Sequence, residues 1–341
     1  MKTKIALLIP LLLALFGANL AYGAVHIPFE EIYRILFGEQ SSHPAWTHIV
    51  LQNRVPQAFT ALLAGASLAT CGLLLQTFFR NPLAGPSILG ISNGANLGVA
   101  IILLHFGGTI NIDPRPWVPS GYLAVVFAAL VGAGLILSLI IFFASRIRQN
   151  TMLLIIGIMI GYLTSSLISM LNFYASSDKV HNFVMWGMGS FGSISREQLP
   201  LFVCLTLLGL GIAALLTKPL NALLLGENYA SNLGVHIKHT RILILVSTGL
   251  LTATTTAFCG PISFIGLSVP HMARLLLSSS NHKSLLPTTV LLGAIVALLC
   301  NLLTVAPTTN SMLPLNAITP IIGAPVIIYV IMNRKNIQYF N

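Results

Sequence analysis

Apolar runs of membrane length recur along nearly the whole chain, at about residues 5–24, 55–79, 92–107, 121–144, 151–173, 198–217, 241–259, 262–279, 285–305 and 315–333. A hydrocarbon core about 30 Å thick needs about 20 apolar residues of helix to cross it, and backbone inside lipid must satisfy its own hydrogen bonds. The pattern therefore predicts an all-α polytopic membrane protein of about ten transmembrane helices, the third and eighth short. Only 7% of the 341 residues are charged and 55% are hydrophobic, too little polarity to clothe a soluble domain. No separate soluble domain is left between the runs, so residues 1–341 read as one transmembrane unit.

An even number of spans puts both termini on one side, and the charges indicate which. With cytoplasmic termini, the inner loops hold Lys2, Lys4, Arg80, Arg146, Arg148, Lys218, Lys238, Arg241, Arg274, Lys283, Arg334 and Lys335. The outer loops keep only Arg34, Arg54, Arg115, Lys179 and Arg196, an inner excess of the expected sign. The acids Glu30, Glu31, Glu39, Asp113, Asp178 and Glu197 fall outside and Glu227 alone falls inside, while Trp46, Trp117 and Trp186 sit near the outer interface. The net charge of +10 thus reads as topology, not as a nucleic-acid surface. Residues 1–24 also fit a signal peptide, with Lys2 and Lys4, an apolar core from Ile5 to Leu15, and Ala21-Tyr22-Gly23 as a cleavage site; the many spans that follow favour a retained first helix.

Two segments outside the spans carry pattern. In the outer segment 25–53, Phe29, Ile32, Ile35 and Leu36 share a helical face, as in a short amphipathic helix on the outer membrane surface. The main inner loop, 218–240, contains GENYASNLG. Asn228 can cap a short helix there that Gly234 ends, with Glu227 beside its positive N-terminal end. Tyr229 and Leu233 would project together one turn apart, suiting either a partner's groove or the membrane surface.

The spans contain no set of groups for covalent chemistry, and no catalytic residue is assigned. No Asp, Glu, Lys or Arg lies in the middle of a span, which disfavours an ion-coupled transporter. No G-x-x-x-x-G-K-[ST] loop is present, so any ATP of that type is bound by another subunit. None of the nine histidines pairs at ligand spacing within a span except by accident, and no two of the four cysteines share a metal or redox spacing. His26, His43, His48, His181 and His282 fall in loops, and MWGMG (185–189) reads as soft packing rather than a copper site. No metal or cofactor is expected. Ser165, Ser169 and Asn172 share one helix face, either lining a pathway or bonding a neighbouring helix. Gly94 and Gly98, Gly157 and Gly161, and the run Thr252, Thr254, Thr255 and Thr256 read as helix packing.

One stretch is out of place among spans: NPLAGPSILGISNGANLG at 81–98, rich in helix breakers. It serves either as a plain turn or as backbone bordering a cavity. Part of it, GPSILGIS (85–92), is echoed by GPISFIGLS (260–268) at the opposite face. Two halves of opposite orientation and chance likeness both account for the echo.

Several stretches together resemble the FecCD-type permease subunits of binding-protein-dependent ABC importers for iron-siderophores, haem and cobalamin. They are RVP at 54–56, GASLATCGLLLQTFFRNPLAGPSILGISNGANLG at 65–98, MWGMGSF at 185–191, GENYASNLGV at 226–235, GPISFIGLSVPHMAR at 260–274 and LPLNAITPIIGAPVIIYVI at 313–331. The resemblance implies a multi-pass protein of the cell inner membrane, a homodimer with the substrate pathway between its copies, contacting lipid and no nucleic acid. It implies two cytoplasmic ATP-binding subunits, which hold the ATP, docking on the loop with Gly226, Glu227, Tyr229, Leu233 and Gly234. It also implies a cytoplasmic gate at Asn81, Leu83, Asn150 and Thr151, and a periplasmic or lipid-anchored substrate-binding protein on the outer face. The sequence departs from the family at Gln57, where an arginine for that docking is usual, and at Val305, where some members place another, leaving Arg54. Siderophore, haem, cobalamin and oxyanion remain open as substrates. A secondary transporter or facilitator working without an ATPase is the alternative.

Overall fold

The computed structural model describes residues 2–23, 25–39, 41, 43–106, 121–147, 149–305 and 313–333. Asp113, Arg115, Trp117, Arg148, Arg334 and Lys335, sorted by side above, lie outside the described residues. The chain runs α1 (Lys2–Ala21), α2 (Phe29–Leu36) and α3 (Pro44–His48), then through a π-helical stretch, Ile49–Arg54, into α4 (Val55–Phe79). A 3-10 turn, Pro86–Leu89, leads to α5 (Ile91–Ala100), whose π-helical continuation ends at His105. There follow α6 (Gly121–Arg146), α7 (Asn150–Tyr174), α8 (Ser177–Gly187), α9 (Leu199–Leu215), α10 (Thr217–Leu224) and α11 (Glu227–Asn232). The last four are α12 (Ile237–Cys259), α13 (Ile265–Leu277), α14 (His282–Thr304) and α15 (Leu315–Met332).

Each of the ten apolar runs falls on a helix. Among the described residues seven helices are long and apolar enough to cross a membrane, or eight if α9 and α10, bent by 48°, form one broken span. The third and eighth runs give shorter apolar helices, Ile91–His105 and Ile265–Leu277.

The middle of the fold is α4, buried all round against α9, α12, α13 and α14. Apolar attraction between helices is weak in lipid, so close backbone approach must hold them together. Small residues allow it. A Cβ on Gly65 would overlap the backbone of Gly293, and one on Gly72 the carbonyl of Gly266. Likewise Gly94 and Gly98 of α5 press on Gly132 and Ala128 of α6, and Gly157 and Gly161 of α7 on Ile88, Leu89 and Asn93.

Residues sorted to one side meet at one end. Lys4 Nζ donates to Leu276 O (2.9 Å), and Asn150 Nδ2 to Phe78 O (3.1 Å). At the other end Arg54 holds the carbonyls of Leu20 and Ala21 (both 2.8 Å), and Lys179 Nζ that of His105 (3.0 Å).

Four local expectations change. The outer segment is two helices, and Ile32 and Ile35 of α2 bury against the protein while Phe29 and Leu36 stay exposed. The loop 218–240 is mostly helical, because Pro219 falls in the first turn of α10, where no N–H is needed. His282 is not a loop residue. It is fully buried at the start of α14, with Nε2 2.9 Å from Thr77 Oγ1. Arg241 and Arg274, expected in loops, are buried, 7% and 4% exposed.

Candidate coupling and gate site

The first part of the 81–98 stretch, up to Gly90, builds a compact turn, and the rest from Ile91 is the start of α5. After Phe79 the chain closes α4 with Arg80 in the left-handed conformation (φ 47°), and Asn81 N returns to Gln76 O at 3.1 Å. Asn81 Oδ1 then accepts from Leu83 N (2.9 Å), a short side-chain turn that asparagine favours. Beyond Gly85 the 3-10 turn ends at Gly90, whose positive φ of 73° starts α5 against Gly157. Ala84 and Leu89 are buried and Leu83 is 44% exposed at the tip. The irregular backbone is thus housed by α7 and by α13, where Gly85 touches Leu267, and that enclosure is what makes it tolerable among apolar helices.

The echoed segment has the same logic. Gly260 and Pro261 are followed by Phe264, which holds φ 67° as the residue before α13, as Gly90 does before α5. Pro86 of the first turn packs on α13, for a Cβ on Gly266 would meet its ring, whereas Gly260 lies against Trp186 and Gly189.

Across from the turn lies α11. Gly226, at φ 109°, a conformation open to glycine, serves as its N-cap. The helix begins at Glu227, so Asn228, expected to cap it, lies two positions beyond the actual cap. Glu227 sits in the first turn, favourable to an acid. Gly234 (φ 82°) follows the helix end, as expected, with Val235 N bonded to Ala230 O at 3.0 Å. Tyr229 and Leu233 are 52% and 60% exposed, apolar side chains facing away from the chain.

Asn150 and Thr151 of the gate candidates and Gly226, Glu227 and Tyr229 of the coupling candidates line one cavity of about 740 Å³ together with Arg80, whereas Asn81, Leu83, Leu233 and Gly234 do not line it. Asn150, first residue of α7, joins three elements. Its Nδ2 donates to Glu227 Oε1 (2.9 Å) and to Phe78 O (3.1 Å), the penultimate carbonyl of α4. Its Oδ1 accepts from Arg241 Nη2 (2.9 Å). Arg241 in turn reaches Ile147 O (2.7 Å), lies 3.5 Å from Glu227 Oε1, and stacks its guanidinium 5.6 Å from the centre of the Phe78 ring. Arg241 is buried and Glu227 partly open, with side-chain exposures of 8% and 39%. The carboxylate thus meets the solvent-facing cavity while its partners are fixed in the protein.

Arg241 was not among the residues singled out from the sequence. A basic residue at the very start of an apolar run looks like a boundary charge, and only the fold reveals what it holds.

The remaining candidates stand apart. Ser165 and Ser169 are exposed and Asn172 is half-buried, well along α7 from Asn150, and Ser169 Oγ donates to Ser165 O (3.0 Å). The packed face of α7 is Leu153, Gly157, Ile160, Gly161 and Thr164, so the serines face away from this chain. Arg54 is buried (5% exposed) at the opposite end of the molecule, where its guanidinium binds the carbonyls that end α1, with Val25 O as a third acceptor. Gln57 and Val305 line the same small cavity as Arg54, about 180 Å³, and Gln57 Nε2 bonds Asn301 Oδ1 at 2.9 Å.

A sequence profile of the FecCD transport family matches residues 11–333. The chain belongs to the FecCD transport family. It is 34% identical over 287 residues to the vitamin B12 import system permease protein BtuC of Citrobacter koseri, covering 84% of this chain and 83% of that one. Against the protein of the same name from Salmonella typhimurium it is 34% identical over 284 residues, covering 83% of each. The fold superimposes on a metal-chelate type ABC transporter solved in an inward-facing conformation, with TM-score 0.83 and 29% identity over 98% of this chain and 100% of that one. The FecCD chain is accordingly a multi-pass inner-membrane protein.

Proposed function

We propose that this chain is the membrane permease subunit of an ATP-driven importer, with ten spans and both termini in the cytoplasm. Two copies would enclose the pathway, and two ATP-binding subunits would dock on α11. The observation that carries this reading is the 2.9 Å bond from Asn150 to Glu227, which joins the docking loop directly to the helix start expected to gate the pathway. A partner pushing on Tyr229 and Leu233 would move Glu227, and with it the start of α7 and the end of α4. No covalent step falls to this chain; ATP is bound and cleaved in the partner.

The exposed serines of α7 support the dimer, because a polar stripe facing out of one copy is better matched by a pathway shared with a second copy than by lipid. For the substrate we infer a large metal chelate. A cobalamin-like corrinoid is favoured over an iron-siderophore or haem, since the relatives carry the vitamin B12 name. A binding protein would deliver it to the opposite end. There Arg54 would act by fixing α1 against α4 under the docking surface, and with Gln57 and Val305 in place of arginines the charge attraction would be weak.

The test is gentle purification of the tagged chain from native membranes with mass spectrometry of what accompanies it. An ATPase subunit at equal stoichiometry supports the importer. A chain that stays solitary under conditions that preserve known complexes, with uptake following an ion gradient, would favour the secondary transporter instead.

A further inference from the structure

The PHMAR stretch on α13 has so far been given no role, yet its two polar side chains are buried directly behind the gate turn. His271 is fully buried, and its Nε2 lies 2.8 Å from Pro82 O, so that nitrogen carries the proton and donates it to the turn. Gln76, on the last turn but one of α4, is also fully buried. Its amide Nε2 donates to Leu267 O (3.1 Å) and packs 3.5 Å from His271 Nε2. Its Oε1 accepts from Arg274 Nη1 at 2.6 Å, while its backbone carbonyl receives Asn81 N at 3.1 Å. One glutamine therefore joins the backbone that opens the turn to the helix whose histidine holds the turn's middle.

The turn is suspended between two supports. On the α7 side, Asn150 grips Phe78 O and belongs to the Glu227 junction. On the α13 side, His271 grips Pro82 O. Buried carbonyls without a donor are costly, and here each grip satisfies one. Motion passed from α11 through Asn150 can displace the Leu83 tip in a defined way only if another point of the turn stays fixed.

We infer that His271, backed by Gln76 and Arg274, is the positioning residue that fixes the Asn81–Leu83 turn to α13, so that the gate moves against α13 when the coupling loop moves. This rests on the gate reading proposed above, and its test is separable from it.

The experiment uses Leu83→Cys in a Cys204→Ser background, since Cys71, Cys259 and Cys300 are buried. Inside-out vesicles are labelled with a membrane-impermeant maleimide. His271→Leu should raise the labelling rate about fivefold, the population shift that loss of one net hydrogen bond produces. His271→Gln, which can return an amide N–H near the Nε2 position, should restore the original rate, and His271→Asn, a bond shorter, should not. Folded Leu and Asn variants that label at the same rate as the protein with His271 intact would overturn the assignment. So would failure of all three variants to fold, since that would make the residue a requirement of the core. ATP hydrolysis by the complex purified from the same membranes reads the importer proposal separately: altered labelling with no partner ATPase would support the anchor and defeat the importer.

Discussion

Asn150 Nδ2 lies 2.9 Å from Glu227 Oε1, while its Oδ1 accepts from Arg241 at 2.9 Å. One asparagine thus ties α11, the start of α7 and a buried cation. If this junction transmits motion, Glu227→Ala and Asn150→Ala should each lower uptake about tenfold while ATP hydrolysis continues, the scale of one charge-assisted hydrogen bond. The double substitution should be little worse than either single one, because both remove the same link. Transport and hydrolysis measured side by side in proteoliposomes check this, and additive losses would count against a shared role.

Arg241 should matter for a different reason. Its Nη1 satisfies Ile147 O at 2.7 Å and its side chain is 8% exposed, so truncation leaves buried carbonyl and amide oxygens without a donor. Arg241→Ala should cost about 2 kcal/mol of stability in addition to uncoupling. Arg241→Lys should recover only part of this, since an ammonium cannot reach Asn150 and Ile147 in the same forked geometry. Melting of the purified protein in detergent distinguishes the two effects.

What could be seen in the sequence and what could not divide along a physical line. Membrane helices are written in local composition, so each of the ten runs found its helix, and Gly234 marked the end of α11, whose cap is Gly226, two residues before the expected Asn228. Burial of polar groups is a property of partners distant in the chain. His282 meets Thr77 and Arg274 meets Gln76 across 205 and 198 residues, and no local pattern reports that. Arg54 shows the same limit. The RVP match marked it as functional, but only the fold shows its charge committed to the carbonyls of Leu20 and Ala21.

The glycines of α4 should be intolerant in proportion to what faces them. Gly72→Ala would place its methyl against the Gly266 carbonyl, backbone that cannot step aside, and should cost about 3 kcal/mol. Gly211→Ala on α9 meets nothing within 4 Å and should be neutral. Fluorescence-detected size exclusion of both variants at matched expression tests the contrast, and a monodisperse, fully stable Gly72→Ala protein would contradict the close packing of α4 on α13.

Tyr229 and Leu233 should separate docking from folding. Both are more than half exposed on α11, and removing them empties no core, so Tyr229→Ala/Leu233→Ala should leave melting within about 0.5 kcal/mol of the parent. If their apolar surface fills a partner's groove, the same change removes two adjacent anchors, and affinity for the ATPase subunit should fall about 100-fold. Copurification should then drop while the chain itself remains intact. Retention of the partner at parental stoichiometry would place the docking surface elsewhere on the cytoplasmic end. A chain that melts early would instead assign the two residues to holding α11 in place.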